Sequence, residues 1–185
     1  MKLKNLLWLL PLSFILSCSK TPVNPNTAGP GSNFVTYNGE TYKFSQFFML
    51  ADTHTFYYSA YNVIEYTLFY CSPGVTIEYD STGITGGTGK GDVLVVFMTG
   101  QGFPLPKCYF SMNTYSFNVI DEIYLYKGYD FDLDMADEEY DFSDLEYGYL
   151  KVDPSRSVKN SYKMDLKFGS LNGRFEGVHT VIRVQ

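Results

Sequence analysis

Tryptophan, histidine, basic charge and long apolar runs are all scarce in this chain of 185 residues, and each shortage excludes something. The one tryptophan is Trp8, near the start, so the body of the chain lacks the ring that sugar-stacking platforms favour. The two histidines, His54 and His179, stand far apart with no cysteine or histidine beside them, which argues against a zinc site of common type. Basic residues number 14 against 20 acids, a net charge of −6, and this acidic balance argues against a nucleic-acid binder, which needs a basic face. The longest apolar run, residues 6–16, is interrupted by Pro11 and Ser13 and is too short for a membrane span, which takes about 20 residues. Catalytic signatures are missing as well. No Gly-x-Ser-x-Gly elbow or His-Glu-x-x-His helix occurs, and on that ground no enzyme is expected.

What is present begins with a processing signal. Lys2 and Lys4 precede the apolar run, which ends at Ile15-Leu16-Ser17-Cys18. Charge, short apolar run and small or aliphatic residues before a cysteine follow in order, and together they resemble the signal and lipobox of bacterial lipoproteins. The resemblance implies cleavage before Cys18, diacylation of its sulfur, and a further acyl chain such as palmitate on the new N-terminus. Two or more acyl chains hold a protein stably on a membrane, where one is reversible. Residues 1–17 are therefore read as signal peptide. Residues 18–33, with three prolines and little that is apolar, form the lipidated cysteine and a flexible tether of about 20 Å mean reach. Residues 34–185 are read as one domain.

With Lys2 and Lys4 gone, the net charge of the remainder becomes −8. Its Val, Ile, Thr, Phe and Tyr number 64, against 14 Ala and Leu, and this bias predicts strands. Apolar residues recur at period two in short segments: 34–37, 40–48, 64–71, 75–79, 93–98, 106–112, 122–127, 145–152, 162–168 and 174–184. Segment 93–98 is apolar throughout and is expected to be central or buried on both sides. In 162–168, Tyr, Met, Leu and Phe alternate with Lys163, Asp165 and Lys167, giving one apolar and one charged face. Turns are expected at Asn38-Gly39 and Asn172-Gly173. About nine strands at this spacing predict an all-β fold, an antiparallel two-sheet sandwich, with a closed or partly open β-barrel as the alternative.

Four features bear on chemistry. Cys71 and Cys108 are an even pair in an oxidising compartment, read either as a disulfide or as two buried thiols. The glycine-rich residues 81–91 fail as a phosphate loop, since Ile84 and Gly91 stand where a glycine and a hydroxyl are needed, and read better as a mobile hairpin loop. Residues 130–146 hold nine carboxylates, so this stretch carries essentially the whole net charge. Asp130, Asp132 and Asp134 at alternate positions of a strand, with Phe131 and Leu133 facing the core, are a candidate calcium site, the one cofactor considered; the plainer reading is a solvated acidic hairpin. Tyr57, Tyr58 and Tyr61, in an aromatic stretch, are a candidate surface for a sugar or protein partner, against the plainer reading that such rings pack the core.

Three closing segments, Tyr147-Gly148-Tyr149-Leu150-Lys151-Val152, Tyr162-Lys163-Met164-Asp165-Leu166 and Leu171-Asn172-Gly173-Arg174-Phe175-Glu176-Gly177, resemble the last strands of small, mostly uncharacterised β-sandwich lipoproteins of Gram-negative anaerobes. The resemblance implies the fold and a cell-envelope location and supplies no activity. Ser19 after the cysteine is compatible with outer-membrane sorting, and the absence of an acidic run there favours the periplasmic leaflet over the cell surface. The expected function is a lipid-anchored binding or structural module with a glycan or envelope-protein partner. A membrane-anchored glycan hydrolase and a calcium-stabilised adhesin-like domain are the alternatives.

Overall fold

The computed structural model describes residues 33–52, 63–112, 118–144 and 147–184. Fourteen strands run in chain order: β1 (Phe34–Tyr37), β2 (Glu40–Lys43), β3 (Gln46–Asp52), β4 (Val63–Cys71), β5 (Thr76–Asp80), β6 (Gly83–Thr88) and β7 (Lys90–Gln101), then β8 (Cys108–Ser111), β9 (Val119–Asp130), β10 (Glu138–Asp141), β11 (Gly148–Pro154), β12 (Ser161–Phe168), β13 (Leu171–Val178) and β14 (Thr180–Val184). No helix occurs among the described residues, so none there is long and apolar enough to cross a membrane.

Twelve strands form one sheet in the order β14-β3-β4-β7-β9-β8-β11-β12-β13-β1-β2, with β10 also on β9, while β5 and β6 pair separately. The large sheet turns on itself at β9 and β8, which share a single parallel pair, Ser111 with Val119. Its two halves then face each other across the main core. Tyr66, Leu68, Tyr70, Leu94, Val96 and Leu125 from the first half meet Leu150, Val152, Met164, Leu166 and Phe175 from the second. The Tyr70 ring stacks on Phe175 of the opposite layer, centroids 4.1 Å apart and planes within 15°. The strand order has open ends at β14 and β2, so the fold is a sandwich-like all-β structure that does not close into a barrel. It departs from the antiparallel expectation in being mixed, because β14 runs parallel to β3.

Side-chain parity explains why the first half is apolar on both faces. In β4, Tyr66, Leu68 and Tyr70 enter the main core while Phe69 and Cys71 point the other way. In β7, Leu94 and Val96 alternate with Val93 and Val95 in the same manner, which accounts for the unbroken apolar segment 93–98. The outward set is covered by a third layer. Val75, Ile77, Tyr79 and Ile84 of the β5–β6 hairpin and its approach pack there, together with Phe131 and Ala136. The glycine-rich residues are thus not a mobile loop. A Cβ on Gly87 would fall 2.6 Å from the Phe131 ring, so glycine in β6 permits a close approach between layers.

At two of the places where the chain changes layer, β2–β3 and β13–β14, the period-two segments run straight across the change. Residues 40–48 divide into β2 and β3 because Phe44 donates its N–H to Asn33 of one layer and Ser45 donates to Cys71 of the other. Residues 174–184 divide at His179, between β13 and β14. The Asn38-Gly39 turn is present, with both residues at positive φ. Asn172-Gly173 instead lies inside β13; the chain turns at Gly169-Ser170, where Gly169 takes φ +55° and Leu171 stays in the core opposite Phe168.

His179 is buried at the β13–β14 crossing. Its ring lies 5.4 Å from Phe47 and 5.3 Å from Tyr162, and Nε2 is 3.4 Å from the Tyr70 hydroxyl. Burial pushes its pKa down from 6.5 to about 4, only partly offset by the Gly177 carbonyl. The folded state therefore holds the ring neutral, while the unfolded chain takes up a proton below pH 6.5. Stability is full above that pH and is lost as the pH falls toward 4. We expect His179 to cost about 2 kcal/mol between pH 7 and pH 5. Urea midpoints at both pH values check this: the drop should be smaller by that amount in His179→Phe, whatever that variant's stability at pH 7.

Candidate functional site

Cys18, Tyr57, Tyr58 and Tyr61 lie outside the described residues. The other candidates from the sequence are placed, and the structure does not bring them together. β9 ends at Asp130, and residues 131–134 form a turn rather than a strand. The Asp130 carboxylate accepts the N–H groups of Asp132 and Leu133, at 3.0 and 3.2 Å, and Asp134, at φ +53°, accepts the Tyr129 hydroxyl. Two of the three carboxylates are thus engaged in closing the turn. Leu133, expected to face the core, is 67% exposed, because a turn does not preserve strand parity. Among the described residues no three or more His, Cys, Asp or Glu side chains group to hold a metal, so the calcium expectation is not carried forward.

Of the two readings of the cysteine pair, the structure has free thiols at Cys71 and Cys108. Parity places Cys71 on the outward face of β4 under the third layer, whereas Cys108 packs against the main core, so the first half of the sheet separates them. Burial pushes both thiols up, Cys108 to about 11, which leaves each protonated and unreactive at neutral pH.

A surface that composition did not single out lies on the outward face of the second half. The alternation of β12 buries Tyr162, Met164, Leu166 and Phe168 and leaves Lys163, Asp165 and Lys167 outside. Antiparallel register lines these up with outward residues of the neighbouring strands. One row runs Tyr109, Lys151, Asp165, Arg174, Phe34, Lys43 from β8 to β2, and the next runs Ser111, Tyr149, Lys167, Asn172, Thr36, Thr41. Between these rows lies an open groove of about 440 Å³ bounded by Tyr109, Tyr149, Lys151, Lys167 and Arg174.

At one end of the groove the two tyrosines form a pair. Their ring centroids are 6.2 Å apart with planes at 62°, and both are exposed, Tyr109 by 59% and Tyr149 by 40%. The Lys151 ammonium stands 6.0 Å from the Tyr109 ring centroid. Asp153 fixes that lysine from two residues on, 3.2 Å away, and holds Lys107 at 3.0 Å with its other oxygen. Lys107 and then Lys151 keep the Asp153 carboxyl below the usual carboxylate range. Asp165, the one carboxylate in the groove lining, lies 3.7 Å from Arg174 Nε. The lining therefore presents two ring faces together with fixed donors and acceptors. The period-two pattern of 162–168 signalled this charged face, but Tyr109 and Tyr149 join it only through pairing register.

A second cluster lies on the outward face of the first half. Glu65 pairs in register with Asp52 and with Thr99, whose hydroxyl bonds Asp121 at 2.8 Å. Burial, then the charges of Asp52 and Asp121, raise the Glu65 carboxyl above its ordinary range; burial does the same for Asp121, against the Thr99 hydrogen bond. No family model, curated protein or solved structure matches the chain.

Proposed function

We propose that this chain is a lipid-anchored cell-envelope protein whose outward β8-β11-β12-β13 face binds glycan. The observation that carries the reading is the exposed Tyr109–Tyr149 pair at the end of a shallow groove rimmed by Lys151, Asp165, Asn172 and Arg174. Sugar rings offer apolar C–H faces and a belt of hydroxyls, and this surface offers rings for the first and charged or amide groups for the second. With no tryptophan beyond Trp8, stacking falls to tyrosine. A protein partner would need roughly 800 Å² with an apolar centre, whereas these two outward rows are polar apart from Tyr109, Tyr149 and Phe34. The lipobox ending at Cys18 supports lipid anchorage, Ser19 after it is compatible with the outer membrane, and the lack of an acidic run there favours the periplasmic leaflet.

Electrophoresis of the detergent-solubilised full chain through gels containing neutral and acidic polysaccharides tests this. At least one polymer should retard it, and Tyr109→Ala with Tyr149→Ala should weaken that binding about tenfold or more, each stacked ring being worth about 0.5–1.5 kcal/mol. Unchanged mobility across the panel, or retardation that survives loss of both rings, contradicts the proposal. Glycan hydrolysis is a second reading, favoured by the raised carboxyl groups of Glu65 and Asp121. It requires release of reducing ends that Glu65→Gln abolishes; binding alone releases none.

A further inference from the structure

The chain is acidic as a whole, yet on the outward face of the second half cations outnumber carboxylates: Lys43, Lys151, Lys163, Lys167 and Arg174 stand against Asp153, Asp165 and Glu176. The carboxylate-rich stretch from Asp130 begins in the third layer, where Phe131 and Ala136 anchor it over the outward side of the first half. The Tyr109–Tyr149 groove lies on the outward side of the second half. Three of its lining residues, Lys151, Lys167 and Arg174, are cations, and only Asp165 is an anion. Lys43 and Lys163 extend the same outward surface on β2 and β12. Lys43, Lys163 and Lys167 have no carboxylate partner among the described residues. A third to a half of the positive charge left after removal of the leader is thus spread over the sheet that carries the tyrosine pair.

Resting on the glycan reading above, we infer that the groove selects an anionic glycan, a chain bearing carboxylates or sulfates. Lys151 and Arg174 occupy one row on strands two apart, about 10 Å across the sheet, with Lys167 in the row beside them. That spacing lets neighbouring sugars stack on the rings while their acidic groups meet separate cations. Asp165 opposes an anion, but Arg174 already draws on it at 3.7 Å. Exposed charges act only over about 8 Å at physiological salt, so attraction at the groove is set by the charges that line and adjoin it. A flat anionic membrane fits less well, because the tyrosines line a concavity instead of projecting as an apolar wedge.

The test uses the full chain in neutral detergent and three polymer pairs: polygalacturonate with its methyl ester, chondroitin sulfate with its desulfated form, and dextran sulfate with dextran. Vesicles of phosphatidylglycerol form a separate arm. At low salt, at least one polyanion should bind about tenfold or more tightly than its uncharged or less charged partner. Raising salt to about 0.3 M should weaken that binding, and Lys167→Gln with Arg174→Gln should abolish the preference with the thermal midpoint unchanged. Equal binding within every pair overturns this inference and leaves the glycan reading standing. Binding to no polymer overturns both. Binding to the vesicles without binding to any polymer assigns the face to lipid and likewise overturns both.

Discussion

Tyr70→Ala is expected to lower the free energy of unfolding by about 3–5 kcal/mol, the range for removing a large buried ring. Tyr70 lies at the meeting point of the two layers. Its ring stacks on Phe175, stands edge-on to Phe47 at 5.5 Å and lies 6.4 Å from Phe44, so truncation leaves a cavity lined by side chains from both halves. Its hydroxyl, held protonated by full burial, sits 3.1 Å from the Met164 sulfur and 3.4 Å from His179. Removing the ring deprives buried His179 of a polar neighbour, which adds to the cavity cost. Tyr70→Phe keeps the volume and is expected to lose about 1 kcal/mol. Tyr149→Ala, on the exposed face, should shift stability by less than about 0.5 kcal/mol. Urea midpoints of the three variants check the order; a Tyr149→Ala loss as large as that of Tyr70→Ala would contradict the layer assignment.

Cys18→Ala is expected to move the protein from the membrane fraction to the soluble fraction and to abolish its labelling by fatty acid. The size of the effect follows from the anchor. One buried acyl chain gives only marginal attachment, whereas two or three give attachment that washing does not reverse. The 11-residue apolar run before the lipobox is too short to substitute as a span. Recovery of unchanged, acylated Cys18→Ala protein in membranes would refute the lipobox reading.

The strand bias, the Asn38-Gly39 turn and the doubly buried segment 93–98 were legible in the sequence, because each depends on local periodicity or turn chemistry. The layer crossings at β2–β3 and β13–β14 were not: a period-two pattern reads through Phe44-Ser45 without marking that successive N–H groups bond to opposite layers. The same limit explains the acidic stretch. Alternating aspartates imply one face only if the strand continues, and the Asp130 carboxylate ends it by capping its own turn. Cys71 and Cys108 could be counted but not placed, since the side of the sheet each thiol takes follows from strand order. Tyr109 and Tyr149 are separated by 40 positions and meet only through the pairing register of β8 on β11. Their charged neighbours on β12 were visible as an alternating face, which left the site half legible.

Resonances of the tyrosine rings test the central claim most directly. In the ¹³C-tyrosine-labelled full chain, 17 rings are observable, and Tyr109→Phe and Tyr149→Phe identify two of them. Titration with oligosaccharides of the bound polymer should shift those two signals and leave the buried rings, Tyr66, Tyr70 and Tyr162, where they are. Shifts confined to other rings, including Tyr57, Tyr58 and Tyr61, or no shift at all, would contradict the assignment of glycan binding to this face.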